Sequence, residues 1–122
     1  MELNLTNGSL EEQINFLKTI FDSIPFPIFI KNLNLEYVYT NRICAEKNGV
    51  KPEELVGKSD ADLWYESLPL VDEYNENDLI LIKTKKGFNK MIPIFTEKEI
   101  FYSLLTEEPL FDKNQNVVGI VG

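Results

Sequence analysis

The sequence contains no histidine and a single cysteine, Cys44, and these two scarcities remove a good deal of cofactor and catalytic chemistry. Without imidazole there is no axial His for haem iron, no His-dependent triad and no Cys-His pair, so His-ligated haem and the common nucleophilic mechanisms are excluded. One thiol cannot close an internal disulfide, which fits a reducing compartment and a cytoplasmic location. Basic clusters are missing too, with 12 Lys and Arg against 20 Asp and Glu and a net charge of −8. Nucleic acid or an anionic membrane surface calls for a positive patch, so no nucleic acid and no direct membrane contact are expected. No apolar run approaches the ~20 residues that cross a bilayer, and the N-terminus lacks a basic segment followed by an apolar core. Carboxylates are plentiful at Asp60 and Asp62 and again at Asp72, Glu73, Glu76 and Asp78, yet no segment has the Asp/Asn alternation, central Gly and terminal Glu of a calcium loop. They read as a solvated acidic face, and no metal site is expected.

What is present is a clear order of elements. Ser9 to Ile24 predicts an amphipathic helix, with Ser9 as N-cap, Glu12 completing a capping box, and Leu10, Ile14, Leu17, Phe21 and Ile24 recurring at 4-3-4-3 spacing. This heptad seam suits either dimerisation or packing on the outer face of a sheet, and Met1 to Asn7 before Gly8 reads as a frayed leader. Pro25 to Asn32 is a short apolar run of strand length, and Asn32-Leu33-Asn34 turns the chain into a second strand at Tyr37 to Thr40. Asn41 stands where a side-chain oxygen caps the next helix, which Gly49 stops. Pro52 opens a second short helix, and Ser59 or Asp60 caps a third carrying Leu63 and Trp64. Leu68 to Lys85 has Val71, Tyr74, Leu81 and Ile82 on one helical face, with Gly87 at the expected C-cap. Three strands follow, Phe88 to Thr96, Ile100 to Phe111 and Val117 to Val121, the last two joined by Asp112 to Asn116, where Asn114 or Asn116 suits a positive φ.

The stretch from Tyr37 to Trp64, YVYTNRICAEKNGVKPEELVGKSDADLW, resembles the PAS domain family in its strand pair, its helix-entry Asn41 and its G-K-[ST]-D-x-[ED]-L-[WF] element. The closing PLFDKNQNVVGIVG is similar to the family's last hairpin, except that Gln115 stands where a turn Gly is usual, so a differently shaped turn is expected. The resemblance covers about Pro25 to Gly122 and implies an α+β domain. Its expected form is a five-stranded antiparallel sheet with short helices and one long helix on one face, preceded by the leader and amphipathic helix of residues 1–24. Its implied role is a sensory or regulatory module of a larger signal-transduction protein, such as a sensor histidine kinase or a cyclic-dinucleotide enzyme. The chain ends on the last strand, where members of the family continue into a connecting helix and an output domain, so a longer parent chain and a homodimer are the expected partners.

The family's flavin-binding branch carries a reactive Cys just after the Gly that opens the third helix. Here that position is Asp60, so a cysteinyl-flavin adduct is contradicted, and Cys44 reads as a small buried hydrophobe. By strand alternation and the matching positions in the family, the space between sheet and helices is walled by Phe29, Tyr39, Leu63, Trp64, Leu81, Phe101, Leu105 and Ile120, with Ser103 among them. Such a core holds a small organic ligand or is filled by its own side chains. Lys31 shares the inward strand face with Phe29 and needs an acidic partner, because an isolated buried ammonium is costly. Asp60 and Asp78 are the available acids, which makes Lys31 a clasp between sheet and helices, or alternatively a handle for a carboxylate ligand. No catalytic residue is assigned: an acid-base enzyme built on Asp60 or Asp78 would lack a paired base, a nucleophile and an oxyanion site.

Overall fold

The computed structural model describes residues 8–63, 68–95, 98 and 100–122, without the side chains of Leu68, Ile94, Phe95 and Phe101. The expected leader and Trp64 therefore lie outside the described residues. Among the described residues ten elements follow one another: α1 (Leu10–Ser23), β1 (Phe29–Lys31), β2 (Tyr37–Thr40), α2 (Arg42–Lys47), α3 (Pro52–Leu55), α4 (Asp60–Leu63), α5 (Leu68–Thr84), β3 (Phe88–Phe95), β4 (Ile100–Phe111) and β5 (Val117–Val121). The strands form one antiparallel sheet in the order β2-β1-β5-β4-β3, so the first hairpin is joined to the last strand rather than to the one that follows it. Its long β4 pairs with β3 up to Glu107 and with β5 from Glu108 onward.

Local chemistry accounts for most boundaries. The Ser9 side chain accepts from Glu12 N and starts α1. Ser59, not Asp60, caps α4: its hydroxyl accepts from Asp62 N at 3.3 Å while the Asp62 carboxylate accepts from Ser59 N at 3.0 Å. That reciprocal cap leaves Asp60 free to turn inward. At the end of α5 the left-handed residue is Lys85, with φ 60°, and not Gly87. Gly87 serves close approach instead, since a Cβ there would collide with the backbone carbonyl of Glu107 as well as the Glu108 side chain. In the last hairpin the positive φ falls on Gln115 at 65°, rather than on Asn114 or Asn116. The Asp112 carboxylate holds that turn by accepting from the backbone N of both Asn114 and Asn116.

The core is small and tightly closed. Leu35, Leu81 and Ile120 are buried together, with Ile82 and Phe88 packed against them. Leu35 reaches this position from a turn, at φ 61°, so the apolar contact holds a conformation that Leu rarely adopts.

Asn41 ties the N-terminal helix to this core and is itself fully buried. Its Oδ1 accepts from Cys44 N at 3.0 Å and Ile28 N at 2.9 Å, while Nδ2 donates to Phe21 O at 3.0 Å and Phe26 O at 2.8 Å. One side chain thus caps α2 and binds both the last turn of α1 and the entry to β1. Asp22 adds a second tie by accepting from Arg42 N at 2.9 Å. Replacing Asn41 by Ala removes the cap and leaves buried backbone groups without partners, for an expected loss of about 2 kcal/mol or more. Urea unfolding checks this, and a change below about 0.5 kcal/mol, the range of an ordinary surface substitution, would contradict it.

Candidate functional site

Four elements converge on one buried ammonium. Lys31 ends β1 with its side chain on the inner face, 2% exposed. Its Nζ donates to Asp60 Oδ2 at 2.6 Å and to Asp78 Oδ2 at 3.0 Å, both carboxylates being buried as well. Asp60 is delivered by the first residue of α4, and Asp78 by the same face of α5 that buries Val71 and Leu81. From β2, the Tyr37 hydroxyl donates to the other Asp60 oxygen at 2.5 Å. The rings of Phe29 and Tyr37 meet edge-on at 5.6 Å, with Nζ 5.5 Å and 5.1 Å from their centres, so the cation is flanked by aromatic faces as well as by carboxylates. Burial alone would lower the Lys31 pKa, but the adjacent Asp60 and Asp78 outweigh it and raise the value. Tyr37 is pushed well up by burial and by the Asp60 charge, so it stays a donor.

A third acid completes the cluster. Glu107 lies on β4, opposite Phe88 of β3, and is 3% exposed. Burial, a hydrogen bond with Asp78 and the Asp78 charge push its pKa up to about 9, with Lys31 only partly opposing them. Glu107 is therefore a neutral acid at pH 7. Its Oε2 is buried and receives no N–H or O–H hydrogen bond from any described residue.

Above this floor lies a cavity of about 800 Å³. Lys31, Tyr37, Asp60 and Glu107 line its polar end, and Phe29, Tyr74, Ile92 and Leu105 line its apolar walls. Phe26 and Tyr102 stand at its open side, 68% and 66% exposed. Cys44 also faces it, but burial pushes the thiol up to about 11, which leaves it protonated and inert at neutral pH. Among the described residues no group of three or more Cys, Asp or Glu is arranged to hold a metal ion.

The sequence profile of the PAS fold matches residues 21–122. The chain belongs to the PAS family. A search of curated proteins finds no match. Among solved structures, the PAS domain of BvgS from Bordetella pertussis superposes with a TM-score of 0.76 at 18% identity, covering 91% of this chain and 83% of that one. VqmA of Vibrio cholerae, in a complex with ligand and DNA, gives 0.74 at 21% identity over 94% of this chain, which spans only half the length of the VqmA chain. A sensory box sensor histidine kinase, also from Vibrio cholerae, gives 0.66 at 15% identity, covering 93% and 90% of the two chains. At these identities the likeness establishes the PAS fold. It also corrects one expectation, because a PAS-containing chain bound to DNA overturns the exclusion of nucleic acid drawn from net charge. Net charge sums over a whole domain, whereas recognition needs only a local positive surface or a neighbouring segment of the same protein.

The PAS cavity and the residues named for it from sequence coincide in part. Phe29, Lys31, Asp60, Ser103 and Leu105 line it. Asp78 stands behind Lys31, while Leu81 and Ile120 belong to the closed core beneath. Leu63 is half-buried and does not line it, and the Phe101 side chain lies outside the described residues. Tyr39 is on the opposite face of the sheet, its ring 5.8 Å from Phe21 of α1. The reason is a bulge: the β1-β2 ladder shifts so that Ile30 opposes Tyr39 while Lys31 opposes Tyr37, and the extra residue reverses the alternation. Tyr37, not Tyr39, is the inward tyrosine. On the outer face, Ile14, Leu17 and Phe21 line a shallow groove with Ile30, Val38 and Tyr39, while Leu10 is 74% exposed and Ile24 half-buried. Glu107 was legible from strand alternation, two residues beyond Leu105, but its neighbours Glu108 and Pro109 mask it as part of a polar bend.

Proposed function

We propose that this PAS domain is the ligand-sensing module of a larger signal-transduction protein, holding a small organic molecule in the cavity between sheet and helices and catalysing no reaction itself. The observation that carries this reading is the 800 Å³ cavity with a buried polar cluster at one end and apolar walls at the other, the form of a small-molecule site. The unpaired thiol of Cys44 supports a reducing, cytoplasmic setting. For the output, a histidine kinase or a cyclic-dinucleotide enzyme fits the family, and the Asn41 and Asp22 ties offer a route from the cavity wall to α1. Such a route signals only if the ligand binds two arrangements of the domain with different affinity.

Native mass spectrometry of freshly purified protein tests this reading. A co-purifying small molecule that leaves on denaturation is the expected result. A bare protein whose thermal unfolding is unmoved by a broad metabolite panel would overturn it and favour a protein-interaction module.

A further inference from the structure

The polar end of the cavity is built for a particular charge, and this inference rests on the ligand-sensing reading above. Among the described residues Lys31 is the only cation in the cluster, and it is already committed to Asp60 at 2.6 Å and Asp78 at 3.0 Å, with aromatic rings on its flanks. Tyr37 is committed as well, its proton given to Asp60. Two of the three Lys31 N–H donors and the Tyr37 hydroxyl are thus used, and an incoming anion would meet what remains beside two adjacent carboxylates. The handle for a carboxylate ligand suggested by the sequence is therefore disfavoured by geometry. What the cavity does present is acceptor capacity: Asp60 and Glu107 both line it, and Glu107 Oε2, on a residue 3% exposed, finds no N–H or O–H donor among the described residues. With Glu107 protonated, the cluster still holds two carboxylates against one ammonium.

We propose that the cavity takes an organic cation, a primary amine or amidine carried on a small aromatic or aliphatic body, with the charged nitrogen donating to Glu107 and Asp60 and the body against Phe29, Tyr74, Ile92 and Leu105. An ammonium brings the donors that Glu107 lacks and balances the excess acid. A carboxylate brings only further negative charge into a buried site, where an uncompensated charge is most costly. Phe29 and Tyr74 line the same walls, and aromatic rings attract cations.

The test uses three probes of one shape on the whole chain: phenethylamine, 2-phenylethanol and phenylacetate, each at millimolar concentration, by ligand-detected NMR. Phenethylamine is expected to bind at least about 10-fold tighter than phenylacetate, the discrimination that one charged contact supplies. Glu107→Leu, which removes the acceptor that neutral Glu107 offers, should weaken amine binding by more than it weakens 2-phenylethanol binding. Equal or tighter binding of phenylacetate, or amine binding indifferent to Glu107→Leu, overturns the cationic assignment and leaves the cavity reading standing. Failure of all three probes to bind overturns the assignment too, and a bare protein in native mass spectrometry would then remove the sensing reading with it. The comparison of amine with carboxylate is made in the natural sequence, so it holds even if the variant folds poorly.

Discussion

Replacing Lys31 by Met is expected to cost about 3–5 kcal/mol, the range for removing one member of a buried ion pair and leaving its partners uncompensated. Here two carboxylates lose their common cation, Asp60 and Asp78 being buried and each held within 3.0 Å of Nζ. Against a typical domain stability of about 5–15 kcal/mol, the loss takes a large share of what holds the native state together. In thermal unfolding it corresponds to a fall of roughly 10–25 °C for a chain of this size. The mechanism is electrostatic rather than volumetric, because Met nearly fills the space of Lys, so the triple variant Lys31→Met, Asp60→Asn, Asp78→Asn should recover much of the loss. A single variant within about 1 kcal/mol of the natural protein, or a triple variant no better than the single, would show that the cluster does not clasp the sheet to the helices. The cluster would then owe its place to the ligand alone.

Stability is expected to fall as pH rises from about 5 to about 8.5, and Glu107→Gln is expected to flatten the dependence. Glu107 is a neutral acid in the native state up to about pH 9, held there by burial and by Asp78, whereas an unfolded Glu ionises near 4.5. Between these values the native chain binds one more proton than the unfolded chain, so each rise in pH favours unfolding. The contribution is complete below the unfolded pKa and is lost as pH passes through the folded one. Its slope approaches about 1.4 kcal/mol per pH unit for one fully linked proton. The interval is unusually clean, since the chain has no His to titrate within it. Lys31 is raised by Asp60 and Asp78, so its stabilisation is complete below its ordinary pKa and is lost only at higher pH, above this window. Cys44, raised by burial, loses its share as pH climbs from the ordinary thiol range toward about 11, also above it. Repulsion among the other acids of a chain with net charge −8 acts in the same direction, and subtracting the Glu107→Gln profile removes it. Identical pH profiles of chemical unfolding for the two proteins would show that Glu107 is not the protonated acid.

Much of this domain was readable in advance because the signals involved are local. Heptad spacing from Leu10 to Ile24, Asn41 at the helix entry, Pro52 at the second helix and the apolar face through Val71 and Leu81 each act within a few residues, and α1, α2, α3 and α5 fall where those patterns place them. The inward Lys31 was also legible, since strand alternation joins it to Phe29 and a buried ammonium requires an acid. The reading asks for one of Asp60 and Asp78, and the structure places both against Lys31. By itself, then, the sequence determined the order of the elements, the family and the demand for an acid at Lys31, because capping, periodicity and the cost of an isolated charge are written in neighbouring residues.

Tertiary structure alone decided the rest. A one-residue bulge between β1 and β2 exchanged Tyr39 for Tyr37 at the cavity, and nothing in the alternation of a single strand announces an extra residue in a ladder. Gly49 and Gly57 take positive φ, but so do Leu35, Lys85 and Gln115, because burial of Leu35, the C-terminus of α5 and the Asp112 turn outweigh intrinsic backbone preference at those sites. The charge balance of the cavity belongs to the same class. Glu107 becomes a neutral acid only where β4 is brought beside an acid 29 positions earlier in the chain, and desolvation and charge-charge coupling depend on distance in space rather than on separation in sequence.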